Sequence, residues 1–125
     1  MQDRKSLLDI ARTAFTRAYA PYSNFRVGAA LVCGDGAIYT GCNVENACGT
    51  SVCAERVAIF KAISEGRREF VAIAIACEQR DVCVPCGFCL QTMMEFAPDL
   101  EVIVGEDESY SLRELLPKGF SLEER

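Results

Sequence analysis

The sequence predicts an α/β domain, layered α/β/α around one central sheet. Three observations lead there. Apolar residues recur at helical spacing over 6–19 and again over 53–64. Phe25 to Cys33 and Phe70 to Cys77 are short aliphatic stretches with the length and composition of strands. Helix and strand signals then alternate along the chain, the pattern of a sheet covered by helices on both faces. At 125 residues, half of them hydrophobic, the chain suits a single domain over 1–125 with one core.

The elements follow in order. Leu7, Leu8, Ala11, Ala14, Phe15, Ala18 and Tyr19 form the apolar stripe of a first helix, 6–19, closed by a turn over Ala20 to Asn24. Phe25 to Cys33 is a strand, Gly34-Asp35-Gly36 a hairpin turn, and Ala37 to Val44 the returning strand. Glu45 to Val52 reads as a polar loop. A second helix, 53–64, carries Ala54, Val57, Ala58, Phe60, Ala62 and Ile63 and stops at Gly66. Phe70 to Cys77 is almost continuously apolar, as in a strand buried on both faces. After a loop from Asp81 to Pro85 comes a third helix, Gly87 to Phe96, and then a short strand, Glu101 to Val104. Gly105 to Ser109 reads as an acidic turn, and Leu112 to Leu116 as a last helical turn ending at Pro117.

Composition narrows the function. A net charge of −5 argues against gripping a nucleic-acid backbone, which calls for clustered Lys and Arg. No apolar run reaches the roughly 20 residues of a membrane span. The amphipathic start has no apolar signal core, so a cytoplasmic location is expected. There are eight cysteines and no histidine. A metal site must therefore be rich in thiolate, and any general acid or base must be another residue.

Two stretches carry the chemistry. Cys53-Ala54-Glu55 opens the second predicted helix, and Pro85-Cys86-Gly87-Phe88-Cys89 opens the third. The partial positive charge of a helix N-terminus favours thiolate over thiol. Two such termini side by side can aim Cys53, Cys86 and Cys89 at one Zn²⁺ and leave a fourth position for water, whose pKa the metal lowers. Three thiolates make the centre net negative, and Arg56 is placed to offset that charge. Glu55, two residues beyond a ligand on the same helix turn, is the natural proton carrier in a chain without histidine. Outside such a site, Arg56 would be a surface arginine and Glu55 a carboxylate favoured in a first helical turn.

With these motifs, the chain resembles the zinc-dependent cytidine deaminases of the small, homotetrameric type. The resemblance extends to Pro21-Tyr22-Ser23-Asn24-Phe25-Arg26-Val27-Gly28-Ala29-Ala30-Leu31, to Asn43-Val44-Glu45-Asn46, and to Glu114-Leu115-Leu116-Pro117 with Phe120, and so covers nearly the whole chain. It implies a mixed sheet of about five strands and hydrolysis of cytidine or deoxycytidine to the uridine product with release of ammonia, a step of pyrimidine salvage. In such zinc deaminases the carboxylate is not a ligand but the general acid and base. The resemblance gives that role to Glu55 and makes Cys53, Cys86 and Cys89 the zinc ligands. It implies that Asn43 and Glu45 hydrogen-bond the sugar, that Phe25 packs on the base and that the Ala54 backbone binds the base's polar edge. Phe120 would reach into a neighbouring subunit's pocket, which implies a tetramer. By composition alone, Phe25 and Phe120 would be ordinary core or interface aromatics.

The chain also departs from the family pattern. Ala47 to Val52 is one residue shorter than usual and lacks an aromatic, Leu90 stands where Arg is common, and Phe88 where a small residue is usual. The loop change keeps open a related aminopyrimidine nucleoside or nucleoside antibiotic as substrate. Two rivals need no nucleoside: a closed site or iron–sulfur cluster built from the run Cys83, Cys86 and Cys89 with Cys53 or Cys77 as the fourth thiolate, and a Cys86/Cys89 redox pair. Cys33, Cys42 and Cys77 read as buried and inert, while Cys48 is placed to face the pocket.

Overall fold

The computed structural model describes residues 3–122; the outermost ends of the expected 1–125 domain lie outside them. Its five-stranded sheet has the order β2-β1-β3-β4-β5. The strands are β1 (Val27–Cys33), β2 (Ile38–Cys42), β3 (Phe70–Cys77), β4 (Glu101–Gly105) and β5 (Glu108–Ser111). The helices are α1 (Arg4–Phe15), α2 (Ala54–Ser64), α3 (Gly87–Phe96) and the short α4 (Leu112–Leu115). β1 runs antiparallel to both β2 and β3, β3 and β4 are parallel with α3 as their crossover, and β5 returns antiparallel. The sheet is thus mixed, and the predicted α/β/α layering is present.

Alternation along the strands builds two different packing faces. Ala29 and Leu31 of β1, with Ile73 and Ile75 of β3, pack with Ala58, Ile59, Met93 and Leu112 from α2, α3 and α4. Ala30, Val32, Ala72, Ala74 and Ala76 meet Leu7, Leu8 and Ala11 of α1 on the other side. The alanine face lets α1 lie close to the sheet. At Gly28 a Cβ would stand 1.9 Å from the Ala11 carbonyl oxygen. Gly41 does the same for α2, where a Cβ would stand 2.3 Å from the Ala54 oxygen. The second contact matters for function, because it seats the first turn of α2.

Four expectations change. The first helix starts earlier than 6, because the Asp3 side chain accepts from the Ser6 N–H at 2.8 Å and caps it. It also ends earlier, at Phe15. Tyr19 leaves the helical stripe because its N–H donates to the Asn43 carbonyl and its own carbonyl accepts from the Glu45 N–H. The Gly105 to Ser109 turn is shorter than expected, and Glu108–Ser111 is the fifth strand, with Ser109 paired to Ile103 and Tyr110 to Val102. Cys33 and Cys77 are buried as expected, but Cys42 is half-buried and Cys48 exposed.

Candidate active site

The site forms where α2 and α3 begin. Cys53 and Cys86 occupy the residue just before each helix, with extended backbone, and neither sulfur caps its own helix. The two sulfurs instead face each other at 3.8 Å, and Cys86 Sγ lies 3.7 Å from Cys89 Sγ in the first turn of α3. All three sulfurs fall within 4.8 Å of one another. Tetrahedral zinc with Zn–S bonds of about 2.3 Å puts its sulfurs about 3.8 Å apart, so the donor set and spacing fit that ion. Cys89 is buried, Cys53 half-buried and Cys86 exposed, so the cluster opens to solvent on one side.

Cys83 is not part of this group among the described residues. Its N–H donates to the Val104 carbonyl, and its thiol, pushed up by burial, lies against Cys77. The closed four-thiolate arrangement therefore lacks its fourth ligand.

Electrostatics match the geometry. Hydrogen bonds from Cys89 first, and then from Arg56 and Cys86, hold the Cys53 thiol down to about 5. The same contact with Cys53, together with burial, pushes Cys89 up. Arg56 donates from Nη2 to Cys53 Sγ at 3.5 Å and lies 5.8 Å over the Phe88 ring. Its Nε is buried without a hydrogen-bond partner. A fixed positive charge thus faces the Cys53 sulfur.

Glu55 is the buried charged residue of the described chain, 4% exposed. Burial pushes its carboxyl up to about 7, and the negative charge of Cys53 adds to the shift. A carboxyl with that value holds or releases a proton near neutral pH, which suits a general acid and base.

The other candidates lie on segments next to the site. Both ends of the Asn43 amide bond to backbone: Oδ1 accepts from the Val27 N–H at 2.9 Å, and Nδ2 donates to the Phe25 carbonyl at 2.8 Å. Glu45 accepts from the Tyr22 and Ser23 N–H groups at 3.0 and 3.1 Å and from the Ser23 hydroxyl. That hydroxyl is the main reason its carboxyl sits below the usual range. These two side chains fix the 22–27 segment that carries Phe25. Ala54 is buried at the start of α2. The Phe120 backbone is tied to the Gln91 side chain at 2.9 and 2.7 Å, while Phe120 itself is 59% exposed. Cys48 belongs to a small loop network with Asn46 and Thr50, and its hydrogen bonds with Thr50 lower its thiol pKa. Sequence reasoning missed Ser23, the partner of Glu45. The ST-rich turn Tyr22-Ser23-Asn24 was its only signal.

The family described as "Cytidine and deoxycytidylate deaminase zinc-binding region" matches residues 1–106. This chain belongs to that deaminase family. A cytidine deaminase of Halalkalibacterium halodurans is 45% identical, over 98% of this chain and 97% of the relative. The crystal structure of cytidine deaminase from Burkholderia pseudomallei superposes with a TM-score of 0.89 at 46% identity, covering 95% of this chain and 100% of that one. Cytidine deaminase from Mycobacterium tuberculosis gives a TM-score of 0.89 at 36% identity, over 98% and 100%. As a member of a zinc-binding deaminase family, the chain is an enzyme, and zinc is the metal its three cysteines suit. These likenesses do not favour the nucleoside-antibiotic alternative. No helix of the described residues is long and apolar enough to cross a membrane.

Proposed function

We propose that residues 1–125 form one catalytic domain that hydrolyses cytidine and deoxycytidine to the uridine product and ammonia, in pyrimidine salvage in the cytoplasm. The observation that carries this reading is a buried Glu55, its carboxyl raised to about 7, beside three thiols within 4.8 Å of one another. Cys53, Cys86 and Cys89 hold zinc, which when bound supplies Lewis-acid activation of water.

The remaining steps belong to the chain. Glu55 starts as a carboxylate, takes a proton from the attacking water and delivers it to N3 of the pyrimidine. It then passes the second water proton to the departing amine. One water is consumed, the C4–N bond breaks, and Glu55 returns to its starting state. Burial serves both directions, because a carboxyl near 7 gives and accepts protons with little driving force either way. Arg56 offsets the thiolate charge at Cys53.

Asn43 and Glu45 hydrogen-bond the sugar, Phe25 packs on the base, and the Ala54 backbone binds its polar edge. Free cytosine lacks the hydroxyls that the Asn43/Glu45 pair binds, so the pair selects nucleosides over the base alone. Phe120 completes the pocket of a neighbouring subunit in a homotetramer. The exposure of Phe120 and Phe88, two large aromatics at the edge of this region, supports that assembly.

The test is ammonia release by the zinc-loaded protein from cytidine, deoxycytidine and cytosine. Turnover of both nucleosides but not of cytosine is expected. Glu55→Ala keeps zinc and fold while losing most turnover. Glu45→Gln raises KM with zinc content unchanged. Full activity of Glu55→Ala, or an unchanged KM for Glu45→Gln, would overturn the corresponding role.

A further inference from the structure

Three consecutive residues after β3 each take hold of the segment before β1. The Glu78 N–H donates to the Arg26 carbonyl at 3.0 Å. Gln79 Nε2 donates to the Asn24 carbonyl at 2.7 Å. The Arg80 guanidinium carbon lies 5.3 Å from the centre of the Phe25 ring. Arg80 is itself anchored by a bridge to Cys77, so its backbone is held to the end of β3.

The Phe25 backbone is already fixed from both sides. Its N–H donates to the Ser23 hydroxyl at 3.1 Å, and its carbonyl accepts from Asn43 at 2.8 Å. Asn24, just before it, sits in the left-handed region at φ 56° and makes a sharp entry into the segment. What these bonds leave undetermined is the orientation of the Phe25 ring. A guanidinium stacked on one ring face fixes that orientation and leaves the rest of the ring for another flat group.

We infer that Arg80 is a positioning residue, which holds the Phe25 ring preorganised to receive the pyrimidine and so sets affinity for the nucleoside rather than the rate of its chemistry. The inference rests on the proposed contact between Phe25 and the base. Among the described residues the Arg80 side chain makes no hydrogen bond or ion pair with Cys53, Glu55, Cys86 or Cys89, and its backbone carbonyl accepts from the Cys77 thiol at 3.8 Å, so loss of the guanidinium acts through Phe25. Preorganisation of this kind shows in binding, since it spares the ligand the ordering of a side chain.

The experiment is steady-state deamination of cytidine by zinc-loaded wild type, Arg80→Met, Arg80→Lys, Phe25→Leu and the Arg80→Met/Phe25→Leu double variant. Zinc content and melting temperature are measured alongside. Methionine keeps length and apolar packing but removes the cation. Arg80→Met should raise KM by about threefold to fivefold, as expected for losing an exposed cation–π contact. kcat and zinc content should stay close to wild type, and Arg80→Lys should recover most of the KM. In the Phe25→Leu background, Arg80→Met should add nothing. An unchanged KM for Arg80→Met, or an equal rise with and without Phe25, overturns the inference. If Phe25→Leu alone leaves KM unchanged, the base contact fails and takes the inference with it. If Phe25→Leu raises KM while Arg80→Met does not, only the inference falls.

Discussion

Arg56 donates to the Cys53 sulfur at 3.5 Å from three residues further along the same chain segment. The donor is held in place by the Phe88 ring beneath its guanidinium. Cys53 therefore meets two favourable influences from α2, the partial charge of its N-terminus and a full charge from its first turn. Phe88, unusual for its position, is part of the support for that second charge.

Arg56→Gln should make zinc capture need a higher pH. A thiol must lose its proton before it ligates metal, and Arg56 is the second of the groups that lower the Cys53 value, after Cys89. Without it, the midpoint of zinc uptake against pH should rise by about one unit. Zinc titration against a competing chelator across pH checks this. Superimposable curves for variant and wild type would remove Arg56 from the account of the thiolates.

The metal-free protein should carry the signature of Glu55 in its stability. The folded-state value, about 7, lies above the ordinary 4.5, so between these the folded chain keeps a proton that the unfolded chain has released. The contribution of this group to stability then falls as pH rises through that window, and levels off above it. The difference across the window is about 3 kcal/mol. Glu55→Gln removes the slope, so the variant should gain stability over wild type from pH 5 to 7.5. Denaturant melts of both metal-free proteins at each pH provide the comparison. A constant difference would show that Glu55 does not titrate in this range.

Gly41→Ala should cripple the seat of α2. Its Cβ would fall 2.3 Å from the Ala54 oxygen and 2.6 Å from the Ala58 nitrogen, both backbone atoms that cannot swing aside. Overpacking of this kind destabilises by about 1–3 kcal/mol or more. The displaced helix carries Cys53, so zinc retention should fall together with the melting temperature. Gly36→Ala is the contrast. Gly36 has φ 93° and open space around it, so alanine there strains the backbone by about 1 kcal/mol and leaves zinc untouched. Equal zinc content in both variants would separate the seat of α2 from the metal site.

The centre of the site was legible because its signals are local. Cys53, Glu55, Cys86 and Cys89 each lie within four residues of a helix start, and the helix itself aims them. β3 and α3 have the bounds expected, since an apolar run between charged flanks and a glycine start leave few alternatives. β5 was hidden for the opposite reason. Glu108, Ser109 and Ser111 show no apolar alternation, Tyr110 is the lone large apolar side chain, and pairing with β4 makes the strand. Tyr19 fits the helical stripe of α1, but its backbone is taken by residues near Val44, far along the chain. The grip of Ser23 on Glu45 and of Arg80 on Phe25 likewise joins distant segments, and no spacing rule announces such contacts.

Cys53 and Cys86 stand 33 residues apart in sequence, and between them run all of α2 and β3. An ion shared by them closes that stretch into a ring, in the manner of a removable cross-link. During synthesis the three-thiol pocket does not exist until Cys89 has emerged, by which time the central β1–β3 pairing is already available to form. Capture of an ion by all three thiols thus has to wait until the chain has been made past Cys89, when the strands of the central pair are already present.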